Sequence, residues 1–535
     1  MPYGPLRMSF AVVVGRGRRW AKGLTVWFAS LPTVRLLVED KPLAIGFVLL
    51  WLSAMAPMLV TPILPLVDMG VNIGAASLMN DTAFGKGVVA QHYFVNLRIV
   101  PYWTVYAFLN LIESVAGPFV AAKVTVGLAL GLLPLGVMRA MRAFGRSPRL
   151  GLWAFMLCWD TNLYWGWITF QIGMALALWA IARVFEIRTW RDALKMLPLT
   201  LTIALTHVHA VALALVVGGL LVFIKRPIKK AFWHHVVGLS GCVLLLAPWL
   251  WGTFFPPATR SKPGPLTFGT HPMAQKLGSL FRYTIDLIPT PDGNAGIMTY
   301  AFLLLLLGPA LFLLLRPRLI PQSRRAAPGL FLLGAAGLYL IMPFELNGPI
   351  AHWWTYPRFG TYALIGLLLL PRPRLDGLRG LTVVPGIVLA FFVHRAIQQQ
   401  FRAYGDYVRP YLEIIAALPR NQLLYPLDLD DYRFKGTYDP VLGQIHGYAA
   451  AVKSCFDPHF FDQVNVPLRY RASNMPPVPN WFDQASFTME REGRAYDYIV
   501  VHPIERDIIA RRPSQRAQVE LVKEAGPWRL YKVKH

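Results

Sequence analysis

The sequence predicts an α-helical polytopic membrane protein, with about eleven transmembrane helices and a small C-terminal α/β domain. Three observations carry this. The 535 residues have a mean hydropathy of +0.43, with 55% hydrophobic and only 15% charged residues, where a soluble chain carries about 25% charge. The apolar residues fall in long runs near the length that crosses a bilayer. Lys and Arg cluster between those runs, so the net charge of +25 reads as the positive-inside pattern and as contact with anionic lipid head groups. No groove-reading nucleic-acid motif accompanies it.

Residues 1–41 form a cytoplasmic basic segment with Arg16, Arg18, Arg19 and Lys22, in which residues 20–38 read as an interfacial helix or a basic tail. The apolar stretch 10–15 is too short for a cleavable signal peptide. Residues 42–396 form the transmembrane domain. Its first crossing is 43–66, followed by a large outer loop, 67–119. Charge parity between the N-terminal cluster and Arg139, Arg142, Arg146 and Arg149 allows two crossings, 43–66 and 120–137. Residues 102–119 are therefore expected to be re-entrant or to lie along the outer face.

The same logic gives 151–161 outward and 163–184 inward, then a tight hairpin of 197–206 and 209–224. Residues 236–254 go out, a polar loop fills 255–297, and 298–315 return. Residues 330–344 go out, 361–370 return and 381–393 exit for the last time. Residues 397–535 are then extracytoplasmic, with strands expected at 497–501 and 528–533 and a helix at 505–524. The three cysteines, Cys158, Cys242 and Cys455, leave no disulfide within that domain.

Candidate chemistry lies on the outer side. Asp68 ends the first crossing, where a carboxylate can act as a general base toward a sugar hydroxyl; an ordinary solvated loop acid is the alternative. Asn72, Asp81 and His92 follow in the same loop. Asp160 and Asn162 sit in an outer turn beside Trp159, Tyr164, Trp165 and Trp167, which suits stacking on sugar rings or an interfacial aromatic belt. His207 and His209 mark the tip of the hairpin, and Glu345, His352 and Arg358 occupy a later outer loop. A lone outer Arg suits a phosphate clamp, or a surface pair with Glu345. Asp428, Asp430 and Asp431 read as solvated charge. No P-loop, Rossmann, zincin or nucleophile-elbow motif stands in a fitting context.

An acid at the end of the first span, a long outer loop with surface helices and spans of uneven length resemble the GT-C glycosyltransferases. Short echoes are Val100-Pro101-Tyr102-Trp103 leading into Asn110-Leu111-Ile112-Glu113, and Asn162-Leu163-Tyr164-Trp165-Gly166. Others are Tyr496-Asp497-Tyr498-Ile499-Val500 and Gly526-Pro527-Trp528-Arg529-Leu530-Tyr531. The resemblance implies an inner-membrane enzyme that moves a sugar, hexosyl or pentosyl, from a polyprenyl-phosphate donor to an extracytoplasmic glycan, lipid or protein acceptor. It implies Asp68 as base, and substrate contacts at Asp81, His92, Asp160, Asn162, His207, His209, Glu345 and Arg358. Many members pair acids in the first loop, whereas Asp81 lies thirteen residues beyond Asp68, which leaves a divalent metal, Mg or Mn, open. The alternative is a glycolipid or polysaccharide transporter or export component; transporters tend to place ionisable groups at mid-bilayer on repeated halves, and no repeat is visible here.

Overall fold

The structure is a computed structural model that describes residues 32–255, 265–280, 282–284, 322–348, 352–371, 381, 383–430, 434, 440–460, 466–478 and 483–535. The expected interfacial helix for the most part, the crossing 298–315 and Asp431 lie outside these residues. The chain is a helical membrane protein that ends in a small mixed sheet. The main helices among the described residues are α1 (Lys41–Leu59), α2 (Met69–Ala83), α3 (Trp103–Ala116), α4 (Pro118–Ala143), α5 (Ile168–Glu186), α6 (Leu197–Thr206), α7 (Val208–Leu220), α8 (Ile228–Phe254), α9 (Gln322–Ile341), α10 (Gly360–Leu369), α11 (Val384–Ala417) and α12 (His446–Lys453). Among the described residues, four helices are long and apolar enough to cross a membrane: α1, α4, α5 and α8.

Several expected crossings take a different form. The first helix stops at Leu59, because Pro57, Pro62 and Pro65 deny it donors, and residues 60–67 run on irregularly. The stretch expected to rise as 151–161 is instead a 3-10 helix, Pro148–Leu157. All but its first two residues are buried, and Gly151 lets it press on Met138 of α4. The crossing 163–184 is broken at Gly166, whose φ of +75° glycine adopts without steric cost. Residues 69–83, read as polar loop, form the buried helix α2; Gly, Ala, Ser and Asn lower its hydropathy without preventing close packing.

The hairpin is present. Met196, just before α6, and Gly218, in the last turn of α7, both touch the Gly238–Leu239 level of α8, so the two helices run antiparallel with His207 at the tip. At their basic ends the helices are tied by Arg139 to Glu186, Arg149 to Asp40 and Arg142 to Glu39. A pair as exposed as Arg142–Glu39 contributes little by itself.

In the C-terminal part, β4 (Leu424–Asp428), β6 (Tyr498–His502), β8 (Trp528–Val533) and β7 (Val519–Ala525) form one sheet in the order β4-β6-β8-β7. The β4–β6 pair is parallel and the other two pairs are antiparallel. The helix expected over 505–524 is corrected. Pro513 interrupts the helical turns, and Val519–Ala525 extend along β8 as an edge strand. A separate two-stranded pairing joins β1 (Tyr93–Val95), between α2 and α3, to β5 (Leu468–Tyr470), so the two ends of the chain share backbone hydrogen bonds.

Candidate active site

Asp68 is the N-cap residue of α2. Its backbone N–H donates to Trp165 O at 2.9 Å, and the preceding Val67 N–H to Tyr164 O at 3.0 Å. Gly166 makes this contact possible, since a Cβ there would stand 2.8 Å from the backbone nitrogens of Asp68 and Met69. One turn into α2, Asn72 Nδ2 donates to Gly166 O (3.1 Å) and its Oδ1 accepts from Tyr106 Oη (2.7 Å). The turn before Asp68 and the start of α2 are thus tied to the 164–167 turn by three hydrogen bonds.

Burial raises the pKa of the Asp68 carboxyl to about 7. The Arg358 guanidinium and Trp167 pull the other way. Arg358 itself is 7% exposed and stacks its guanidinium on the Trp167 ring, 3.6 Å from the centroid. This is the cation–π geometry that Arg favours. Its Nη2 donates to Trp353 O at 3.1 Å, and its Nε has no partner among the described residues. Asp68 and Arg358 form no ion pair. Trp167 carries the Arg358 guanidinium on its ring face and also lowers the pKa of Asp68.

Around Arg358 stand His207, His209 and His352. The ring centroids are 5.0 Å apart for His207–His209 and 5.4 Å for His209–His352. His209 Nδ1 and His352 Nε2 are buried and without a hydrogen-bond partner among the described residues. Burial, then the Arg358 charge, pushes the pKa of His352 down to about 3, so it offers a neutral ring. Unsatisfied buried polar groups cost about 1–3 kcal/mol each, and here they gather at one place beside a guanidinium. That arrangement suits an oxyanion ligand.

Asp160 and Asn162 lie directly behind this centre. Asp160 is fully buried, and its carboxylate accepts from Leu163 N (2.9 Å), Asn162 Nδ2 (2.8 Å), Thr361 Oγ1 (2.5 Å) and Gln171 Nε2. Asn162 O accepts from Trp167 N at 3.1 Å. With four protein donors on it, Asp160 ties the Trp167 turn, α5 and the start of α10 together.

Three further candidates stand elsewhere. Asp81 is on α2, about 20 Å along the helix from Asp68 at 1.5 Å per residue. His92 bonds Asn474 O (2.6 Å) in the C-terminal domain and leans on Phe456. Glu345 lies in β3 (Glu345–Asn347), opposite Gly269 of β2 (Thr267–Gly269). The acid whose charge Arg358 feels is Asp68 rather than Glu345. Among the described residues no three His, Cys, Asp or Glu side chains gather as a metal site requires. The separation of Asp68 from Asp81 does not fit a shared Mg or Mn ion.

No family model matches the sequence, and no curated protein matches it. Two solved structures do match in fold. Both are ArnT from Cupriavidus metallidurans, one in the apo state and one bound to undecaprenyl phosphate. Each superposes with a TM-score of 0.52 at 11% identity, over 91% and 92% of this chain and 98% of theirs. The chain has the fold of these ArnT structures over about nine-tenths of its length. Within it, Tyr106, Gln171 and Thr361 hold the centre although their positions in the sequence did not single them out, and Trp167 stood there only as one of several aromatic neighbours of Asp160. Gln171 carried a usable signal, because an amide inside an apolar run is costly in lipid and calls for partners.

Proposed function

We propose that this chain is a membrane glycosyltransferase that takes a sugar from a polyprenyl-phosphate donor. Its centre lies at the outer face, with the N-terminus cytoplasmic and the C-terminal domain outside. One observation carries the reading: a carboxyl with a pKa near 7 feels the charge of a buried guanidinium stacked on Trp167, and the two form no ion pair. The fold shared with ArnT supports it, and ArnT's undecaprenyl phosphate supports a polyprenyl phosphate as the lipid.

The donor phosphate sits against Arg358 with N–H groups of His209 and His352 beside it. Asp68 accepts the proton of an acceptor hydroxyl as that oxygen bonds to the sugar's anomeric carbon. The anomeric C–O bond to phosphate breaks, and its electron pair leaves on polyprenyl phosphate, where the guanidinium stabilises the charge. Asp81, His92 and Glu345 take no part in this step.

The test is incubation of the purified protein with a set of undecaprenyl-phosphate sugars and envelope acceptors. Mass spectrometry should find free undecaprenyl phosphate and a glycosylated acceptor together. Movement of intact lipid-linked sugar across proteoliposomes without cleavage would favour the export reading instead. The pH dependence follows from the shifted carboxyl. A base must be ionised, so kcat/KM should fall as pH drops through about 7. A midpoint near pH 4, the ordinary carboxyl range, would argue against Asp68 as the titrating group.

A further inference from the structure

The helix that begins at Asp68 is held by backbone on two sides. Gly166 stands on one, with its carbonyl on Asn72. The C-terminal domain stands on the other. Gly70 lies against the carbonyl of Gln444, and Gly447, in the first turn of α12, lies against the carbonyl of Gly70. A Cβ at Gly70 would stand well inside van der Waals contact distance of the Gln444 oxygen, and one at Gly447 likewise of the Gly70 oxygen. One turn on, a Cβ at Gly74 would come 2.8 Å from Gly447 O and 2.6 Å from Phe460 Cζ. Two helices from opposite ends of the chain therefore meet backbone to backbone, two residues from the acid.

The contact is anchored from behind. Tyr93, in β1, donates its hydroxyl to Asp457 O (2.6 Å) and accepts from Asp457 N (3.0 Å). The Asp457 carboxylate, fully buried, bonds Nδ1 of His446, the first residue of α12. The segment between α2 and α3 thus grips the domain at β1–β5, and the domain returns the grip at α2.

We infer that the C-terminal domain positions Asp68, through Gly70 and Gly447, for the proton transfer. The inference rests on the reading of Asp68 as the base. A methyl group at this contact must push α2 aside, which carries the Asp68 carboxyl away from Trp167 and Arg358. A shift of about 1 Å at a reacting group costs about a hundred-fold in rate.

The test uses the full chain in detergent, with Gly447→Ala and Gly74→Ala. Gly447→Ala should lower kcat about a hundred-fold, leave donor KM nearly unchanged, and move the pH midpoint of transfer away from that of the parent. Gly74→Ala should act in the same sense and less strongly, because the Phe460 ring can turn aside. If Gly447→Ala does not fold, Gly74→Ala carries the same reading of kcat, KM and midpoint. A parental kcat and midpoint in a folded variant overturns the inference. So does an equal loss in kcat and donor binding at an unmoved midpoint, which marks general damage. Asp68→Asn run beside them separates the two failures. If it retains transfer, the base assignment falls; if it is inactive while the glycine variants behave as the parent, the positioning role alone falls.

Discussion

Asp68→Asn is expected to lower transfer by about a hundred- to ten-thousand-fold, the usual contribution of a general base. Asparagine keeps the size, but it cannot take the acceptor's proton. The fold should not suffer. Folding raises the pKa of this carboxyl to about 7, so between the ordinary range and pH 7 the folded chain binds more protons than the unfolded one. Stability contributed by this group therefore falls as pH rises through that window. A neutral amide removes that loss, and the variant should melt no lower than the parent at pH 8. Initial rates and thermal unfolding measured side by side check both halves. Near-normal transfer by a folded variant would remove Asp68 from the mechanism.

Arg358→Ala is expected to raise donor KM about ten- to a hundred-fold, since hydrogen bonds to charged groups contribute about 1.5–3 kcal/mol. It should leave a second trace. The guanidinium lowers the pKa of Asp68, so its removal must let that pKa rise, and the acid limb of the rate profile should move above pH 7. Arg358→Lys keeps the charge and loses the planar stack on Trp167. Its limb should stay near pH 7 while its KM lies between those of the parent and the alanine variant. Unchanged KM and unchanged limb in Arg358→Ala would mean that the guanidinium meets neither the donor nor the acid.

The apolar runs, the basic clusters and the strands at 498–502 and 528–533 were legible because each is a local pattern in the chain. Helix α2 was not. Its Gly and Asn residues look like loop composition, but Gly70 and Gly74 serve close contact with α12 and the residues flanking it, and Asn72 bonds Gly166 and Tyr106. Asp68 and Arg358 stood out one at a time, the first by its place after a span and the second by its isolation on the outer side. Their closeness is tertiary, and residue spacing of 290 positions carries no trace of it. Asp160 shows the reverse case. A carboxylate among tryptophans resembles a sugar platform in sequence, whereas the fold gives all its bonding capacity to four protein donors. Trp167 hid among aromatic neighbours that an interfacial belt explains equally well.

Helix α11 runs unbroken from Val384 to Ala417. At 1.5 Å per residue its 34 residues reach about 51 Å, against a hydrocarbon thickness of about 30 Å. Its apolar beginning packs on α1, and its end carries Tyr407 and Tyr411 onto Trp528 of the sheet. The helix itself carries the chain from one part to the other. A gene fusion or chimera joined near residue 397, where composition changes, would sever this helix mid-turn. An exchange placed at that compositional boundary would therefore have to rebuild the helix that ties the sheet to the bundle.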